Sequence, residues 1–502
     1  MIISDPNRQT VIYTENKEIR KTKEEESEQS APFSCRILFV LLFIFWETIV
    51  LIFYGIYFRY TTIFTTSSTF EPLYEISGVE NHIETYYTWL VDVQMIMLVG
   101  YGFLGVYLRF HRWSSLTFPF FAAMIGIQIY IIFQNFWYKC WNGGWYDKTY
   151  LNFTHLLNAV RAVISLIIAL GALLGKIDIF QTLFITMIFL IGYSLNEQIL
   201  FGSMNLRDAG GAIFIHTFGG FFGVITSAIY SIKSNAKDNP NNRGSYGTIS
   251  LTFLGTYYLW CFFPSFNACL IQSSTMRLIA AMNTVFALMT STTISFCLSI
   301  LLGNGKLNPK HILNSTLAGG IMVAASCDFF TRPYISMLVG FFAGAWSVLS
   351  FDIIDPILQK MNIYDTRGIF HLHLGPGIWG CITSAIAIGS TTETIMGNPN
   401  LNKDLFIERG RSRQGGFQIV SLLITLGISL GASIICGLLL RIWRACNQPI
   451  DTFGDHIFWH MGSIAAKNRT ANRSKEDINP YVPTMVYSPS EAAPIPIISD
   501  RY

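Results

Sequence analysis

Charged residues are scarce in this sequence: Asp, Glu, Lys and Arg make up 13% of its 502 residues, against about 25% in an ordinary soluble domain. Hydrophobic residues account for 51% of the chain, and its mean hydropathy is +0.41. This composition excludes a soluble globular protein and predicts a polytopic membrane protein. The net charge is only +3, so nothing in the charge balance indicates a nucleic-acid partner.

Motifs of enzymes and redox proteins are also missing. The nine cysteines are scattered, and no two form a C-x-x-C pair, so we interpret most of them as buried small hydrophobes. The sequence has no nucleophile elbow, phosphate-binding loop or redox pair, and we expect neither enzymatic activity nor a cofactor. The segment 1–34 is polar and charged, unlike a signal or transit peptide.

Apolar stretches long enough to cross a bilayer, about 20 residues each, follow one another along the chain. They lie approximately at 36–57, 89–109, 116–137, 154–174, 178–201, 209–231, 248–269, 278–301, 311–326, 333–352, 368–390 and 417–440. The sequence therefore predicts an all-α membrane protein of about 12 transmembrane helices. A membrane domain at 36–441 would lie between two disordered tails, 1–35 and 442–502.

The distribution of basic residues predicts the orientation of these spans. An even number of spans puts both tails on one side, and most of the 34 Lys and Arg residues fall on that side. Excess positive charge marks the cytoplasmic side, so we expect both tails to be cytosolic. Asn152, in the sequon "NFT", then lies outside and is a candidate for N-glycosylation, whereas Asn314, Asn468 and Asn472 are not.

Two apolar stretches each carry a histidine inside a predicted span: "IFIHTFGGFFG" contains His216, and "HLHLGPGIWG" contains His373. Both histidines begin the pattern His-x-x-x-Gly-x-x-Gly, whose glycines are Gly220, Gly223, Gly377 and Gly380. The two spans are the sixth and the eleventh, and this odd offset means that they cross the membrane in opposite directions. Such an arrangement predicts an inverted repeat of five plus five helices, with the functional site at the repeat interface.

Each histidine and its glycines share one helix face, and small residues let helices approach closely in lipid. We therefore expect the two stripes to face each other and to bring both imidazoles together. A single membrane histidine is often only a packing residue, but two at matching positions favour a polar element in a pore. The spans offer few carboxylates for an ionic path. Ammonia, water and carbon dioxide, which cross uncharged, are the candidate solutes.

Several blocks in consistent order resemble the Rh glycoprotein branch of the ammonium transporter superfamily, over nearly the whole of 36–441. They are "VGYGFLGVYLRF" (99–110), "LNAVRAVISLIIALGALLGK" (157–176), "DAGGAIFIHTFGGFFG" (208–223), "GTYYLWCFFPSFNA" (255–268), "HILNSTLAGG" (311–320) and "DTRGIFHLHLGPGIWG" (365–380). The resemblance implies a plasma-membrane homotrimer in the lipid bilayer, with one pore per subunit. It also implies passive conduction of ammonia or ammonium past two pore histidines, which map onto His216 and His373.

The same resemblance implies three further pore residues. Asp208 lies eight positions before the first histidine, about 12 Å along a helix, so we expect it near the outer mouth. A carboxylate that stabilises a helix N-terminus is the alternative role. Phe266, followed by Asn267, corresponds to a gating phenylalanine of the outer pore. The aromatic residues around Phe266 have two alternative explanations. They form an aromatic belt at the membrane surface, or they recruit ammonium by cation–π contact.

The chain departs from the family pattern at two places. Arg161 stands where the family usually has a second gating phenylalanine, and a permanent cation there would oppose ammonium entry if it faced the pore. Near His373 the family usually reads Asn-Asn-Leu-His-Gly, whereas this chain has Phe-His-Leu-His-Leu at 370–374. His371 lies about 200° around a helix from His373, so we expect it not to join the pair.

An ammonia or ammonium channel is the leading interpretation of these features. A carbon dioxide channel is an alternative that Arg161 would not impede. A non-conducting Rh-type scaffold is another, although retention of both histidines argues against it. A membrane metalloenzyme is disfavoured, because two imidazoles with no third ligand at recognisable spacing make a poor zinc site.

Overall fold

A computed structural model of the chain describes residues 33–60, 77–230, 241–390, 410–446 and 453–459. Within these ranges the chain is almost entirely helical, with four helices or helix ends wound as π-helix. The first half consists of α1 (Phe33–Tyr57), β1 (Phe58–Tyr60), α2 (Ser77–Met95), π1 (Ile96–Gly100), α3 (Tyr101–Gly105), α4 (Arg112–Asn142), β2 (Thr149–Leu151), α5 (Phe153–Leu173), α6 (Ile179–Glu197), π2 (Gln198–Ser203), π3 (Ala212–Thr217) and α7 (Phe218–Tyr230).

The second half has the same helical character. It consists of α8 (Tyr246–Ala268), α9 (Ser274–Leu302), α10 (Pro309–Ser315), α11 (Ala318–Val323), α12 (Pro333–Lys360), π4 (Phe370–Leu374), α13 (Gly375–Ser390), α14 (Arg411–Cys446) and a 3₁₀ turn (Asp455–Ile457). The only sheet among the described residues pairs β1 with β2 in parallel. The predicted all-α fold is therefore confirmed.

Nine helical segments of the described ranges are long and apolar enough to cross a membrane. They confirm a multi-pass membrane protein, while the total of about 12 spans stays a prediction. The weakest predicted span, 311–326, is broken into α10 and α11, which are separated by a turn at Thr316 and Leu317. The hydroxyl of Ser291 on α9 accepts a hydrogen bond from the backbone N–H of Gly319 (3.1 Å), which binds the broken helix to its neighbour.

Polar residues at the helix starts explain where several spans begin. Asn152, Asp178 and Ser245 each form a capping box at the start of α5, α6 and α8, which satisfies backbone donors that a helix leaves unpaired. Helix α5 lies in the middle of the molecule, with almost every residue from Leu157 to Leu173 buried. A helix that is apolar all round belongs in such a core.

The end of the membrane domain differs from the predicted boundary at 441. Helix α14 runs on to Cys446, and residues 453–457 fold back onto the domain. The carboxylate of Asp455 accepts hydrogen bonds from the backbone N–H groups of Trp113 and Ser114 (both 2.9 Å), at the start of α4. Phe453 is buried in a small apolar cluster. This part of the tail is therefore folded, because a carboxylate and an aromatic ring anchor it. Most of both predicted tails lies outside the described residues.

Candidate functional site

The structure brings His216 and His373 together in the interior. Their Nδ1 atoms lie 3.2 Å apart, and their rings are stacked with centroids 5.2 Å apart and planes inclined by 20°. His216 is 0% and His373 1% exposed. One ring must donate and the other accept in this contact, so each ring fixes the tautomer of the other.

Both histidines lie in π-helical turns, His216 in π3 and His373 in π4. Each turn follows a glycine in the left-handed region, Gly211 (φ +82°) and Gly368 (φ +73°), a conformation that strains other residues. A π-turn widens the helix locally and often marks a functional site. The hydroxyl of Ser165 on α5 donates to the carbonyl of Ile215 (2.7 Å) and so satisfies one acceptor of π3.

A carboxylate caps each π-turn from the same distance along the chain. Asp208 Oδ2 accepts the N–H of Ile213 (2.7 Å), and Asp365 Oδ2 accepts the N–H of Phe370 (2.7 Å). Each aspartate stands eight residues before its histidine and three before its positive-φ glycine. The repeated motif is therefore longer than the sequence analysis recognised: Asp-x-x-Gly-x-x-x-x-His-x-x-x-Gly-x-x-Gly. Extending the alignment of the two histidine stretches upstream would have found it.

The glycines explain how closely the two halves approach. A Cβ on Gly220 would come within 3.0 Å of Leu374 N, the residue after His373. A Cβ on Gly377 would come within 3.1 Å of Thr217 N, the residue after His216. Each glycine therefore packs on the histidine turn of the other half.

The last glycine of each motif follows the same symmetry. A Cβ on Gly223 would come within 2.5 Å of the carbonyl oxygen of Ala169 on α5, and one on Gly380 within 2.7 Å of that of Met322 on α11. Helices α5 and α11 are thus equivalent neighbours in the two halves. This reciprocal packing is what an inverted repeat requires.

Aromatic rings cover the histidine pair on both sides. His216 lies 6.0 Å from the Phe263 ring and 5.8 Å from the Phe266 ring, centroid to centroid, while His373 lies 5.8 Å from Tyr101. The sequence analysis singled out Phe266 but missed Phe263 and Tyr101, although both lie in the blocks that carry the family resemblance. Their position depends on how α3 and α8 pack, which no local pattern encodes.

Arg161 points into this region from α5 and is 2% exposed. Its guanidinium carbon lies 5.3 Å from the ring centroid of Phe214 and 5.4 Å from that of Phe266. Its Nη2 donates to the carbonyl oxygen of Ala209 (2.6 Å). The side chain therefore occupies the space between the Asp208 segment and the histidine pair.

The remaining predicted residues take up different positions. Burial raises the pKa of Asp208 to about 6, while its hydrogen bonds from Phe214 and Ile213 and the charge of Arg161 oppose the shift. Asn267 Nδ2 donates to the Thr284 hydroxyl and the Gly320 carbonyl (both 3.0 Å). These bonds tie α8 to α9 and α11. Among its described contacts none involves a histidine ring.

His371 turns away from the pair, as its helical position suggested. Its Nδ1 lies 2.8 Å from the hydroxyl of Ser350, and its Nε2 lies 3.8 Å from a carboxylate oxygen of Asp355, both on α12. No group of three or more potential metal ligands occurs in the ranges that the structure describes. The arrangement at the centre suits hydrogen bonding to a small solute in apolar surroundings.

Comparison with known proteins identifies the family. The model of the Ammonium Transporter Family matches residues 53–450. The chain belongs to this family. It is 33% identical to an ammonium transporter Rh type B of Danio rerio, over 85% of this chain and 93% of that protein. It is also 33% identical to an Rh type C transporter of Xenopus tropicalis, over 83% and 90%.

Solved structures place the fold in the same superfamily. The structure of Nitrosomonas europaea Rh50 is similar with a TM-score of 0.65 at 26% identity, covering 80% of this chain and 99% of that one. Saccharomyces cerevisiae Mep2 has the same fold, with a TM-score of 0.57 at 15% identity, covering 76% and 92%. The Rh branch predicted from the sequence is confirmed. The family is one of transporters rather than enzymes.

Proposed function

We propose that this protein is a passive membrane channel for ammonia and ammonium, with the histidine pair (His216 and His373) at the centre of its pore. Family membership and the names of its relatives support this function. The single observation that carries the pore assignment is the 3.2 Å contact between two buried imidazoles, placed at equivalent points of the two halves. Neither alternative, a carbon dioxide channel or a non-conducting scaffold, is favoured by these relatives.

The pair supplies hydrogen-bonding groups inside an otherwise apolar passage. Because Nδ1 of one ring donates to Nδ1 of the other, one ring presents its Nε2 as an acceptor and the other presents an Nε2–H donor. Nε2 of His216 has no hydrogen-bond partner among the described atoms, so it is available to a solute. Ammonia has both a lone pair and N–H donors, and it can bind to either nitrogen.

Ammonia, rather than bare ammonium, is the species that suits this centre. Moving an ammonium-sized ion into a medium of low dielectric costs on the order of 20 kcal/mol in the idealised case, and loss of the proton removes most of that cost. Asp208 lies at one end of the proposed pore and Asp365 at the other. The Phe266 ring lies 5.8 Å from that of His216, close enough to act as a gate beside the pair, and Asn267 supports it by fixing α8.

The outer surface of the protein supports placement in a lipid bilayer. Large apolar side chains project from several helices, among them Leu51 (70% exposed), Leu301 (72%), Leu338 (63%) and Leu423 (62%). Such faces require lipid or another subunit to cover them, which agrees with a homotrimer in the plasma membrane. The excess of basic residues in the tails supports a cytosolic position for both termini. Asn152 then lies outside, where its sequon is open to glycosylation.

Reconstitution into vesicles tests the function directly. A jump in external ammonium should raise the internal pH faster in vesicles that contain the protein than in empty ones. A carbon dioxide jump, measured as internal acidification, should proceed at the same rate in both. Faster entry of carbon dioxide alone would establish the gas-channel alternative. If the protein accelerated the entry of neither solute, the non-conducting scaffold would be the remaining interpretation.

A further inference from the structure

Arg161 is a permanent cation buried inside the membrane domain, with 2% of its surface exposed. A guanidinium keeps its charge in proteins, and a buried charge is costly unless other groups compensate it. Arg161 makes no ion pair with a carboxylate of the described ranges, and its Nε has no hydrogen-bond partner there. The side chain is therefore held by something other than a salt bridge.

Two aromatic faces and one carbonyl hold the guanidinium. The rings of Phe214 and Phe266 lie 5.3 and 5.4 Å from its central carbon, and Ala209 accepts from its Nη2 at 2.6 Å. We call these three groups the cation cage. Aromatic faces attract any cation within about 6 Å, and a carbonyl oxygen accepts N–H bonds from ammonium as well as from guanidinium. The cage would suit a small ammonium ion if Arg161 did not fill it.

The cation cage adjoins the histidine pair. Phe266, one wall of the cage, has its ring centroid 5.8 Å from that of His216. Phe214, the other wall, is separated from His216 by one residue in π3. The guanidinium therefore lies beside the approach to His216 from the Asp208 end.

Two carboxylates interact with Arg161 through space. They are Glu197 at the end of α6 and Asp208 before π3. Without Arg161 these two groups would give this region an attraction for cations. With Arg161 in place, this attraction is offset and the aromatic faces are occupied.

We propose that Arg161 is a tethered cation that fills the cation cage, excludes ammonium from the histidine pair and restricts passage to uncharged solutes. This inference rests on the proposed ammonia transport and names the residue that determines which species crosses. Ammonium gives its proton to water on the entry side, ammonia crosses, and it takes a proton from water on the exit side. No charge crosses the membrane in this cycle.

Coulomb repulsion gives the size of the effect that Arg161 has on cation entry. Two unit charges about 6 Å apart, in an effective dielectric of about 20, repel enough to lower occupancy by a second cation about 100-fold. Partial compensation by Glu197 and Asp208 reduces this factor. We therefore expect removal of the charge to raise cation entry at least about 10-fold.

Arg161→Met and Arg161→Lys form the matched pair of variants, because both keep a long side chain and only lysine keeps the charge. Vesicles with a clamped, inside-negative potential are assayed for labelled methylammonium uptake and, separately, for ammonia-driven alkalinisation. We expect Arg161→Met to raise potential-driven uptake at least 10-fold over the parent, and Arg161→Lys to remain well below Arg161→Met. Equal uptake by the two variants would contradict the proposal, because it would show that charge is not the determinant.

A measurement on the parent protein covers the case in which the variants fail to fold. Caesium cannot lose a proton, and excess caesium should leave ammonia-driven alkalinisation unchanged if the cage is closed to cations. Inhibition by caesium, or a potential-dependent current that accompanies ammonia flux in the parent, would overturn the role of Arg161 while leaving ammonia transport intact. If the parent did not accelerate alkalinisation at all, the proposed function itself would fail, and this inference with it.

Discussion

Replacing Gly377 by alanine should separate the histidine pair without touching either ring. The added Cβ would lie 2.5 Å from the hydroxyl oxygen of Thr217 and 2.7 Å from the carbonyl oxygen of Ala212. The Thr217 hydroxyl already donates to that same carbonyl at 2.8 Å, so it cannot rotate away without losing its bond. The helices must therefore move apart by about 0.9 Å to bring the nearest of these atoms to ordinary contact.

That displacement is enough to break the contact between the rings. It would take the Nδ1–Nδ1 distance from 3.2 Å to about 4.1 Å, which is beyond hydrogen-bond range. Loss of a buried hydrogen bond costs about 1–3 kcal/mol, or about 5- to 150-fold in a rate. We expect Gly377→Ala to lower the ammonia permeability of vesicles by about 10-fold or more, at equal protein content.

Two further alanine variants calibrate this result. Gly389 lies in the same helix, and a Cβ there meets nothing within 4 Å, so Gly389→Ala should conduct like the parent. Gly220→Ala, whose Cβ would lie 3.0 Å from Leu374 N, requires a smaller shift and should show an intermediate loss. Parent-like permeability in Gly377→Ala would refute the reasoning, because the close approach of the helices would then be irrelevant to conduction.

Substitutions at two other residues test the cap and the topology. Asp208→Asn keeps a side-chain oxygen for the N–H groups of Ile213 and Phe214 and should assemble normally. Asp208→Ala leaves these donors unpaired, at about 1–3 kcal/mol each, and should lower the yield of folded protein in detergent; equal yields for the two variants would show that the cap is dispensable. Asn152→Gln should abolish a glycan on protein expressed at the cell surface, and a glycan that persists in this variant would contradict the predicted orientation.

The sequence predicted helices well where length and apolar character decide the structure. The predicted span 154–174 corresponds to α5 at Phe153–Leu173, and 368–390 corresponds to π4 and α13 at Phe370–Ser390. The histidine motif was readable because its two copies share residue spacing. These features are local or repeated in the chain, and pattern analysis detects both.

The π-helical turns were not predictable from the same patterns. A helical-wheel argument assumes 3.6 residues per turn, and nothing in the residues 212–217 indicates a wider turn. The turn is stabilised from outside, by the Asp208 carboxylate and the Ser165 hydroxyl. The Ser165 bond joins helices that are far apart in sequence, so this part of the geometry emerges only when the helices pack.

The contacts of Arg161 could not be predicted from the sequence either. The sequence showed that a cation stands where the family usually has an aromatic residue, but not which way its side chain points. Its direction depends on Phe214 in π3 and Phe266 in α8. The guanidinium therefore finds its partners only after three segments have come together.

The most direct test of the histidine pair as the conducting centre is a double-mutant cycle. Ammonia permeability is measured in vesicles that contain the parent, His216→Ala, His373→Ala or the double variant, at matched protein content and oligomeric state. The ammonia permeability of each single variant should be about 5- to 150-fold lower than that of the parent, because the remaining ring has an unmet hydrogen bond. The double variant should lose no more than either single one, because the rings act as a unit. Parent-like permeability in both single variants would contradict the account and leave the histidines as packing residues.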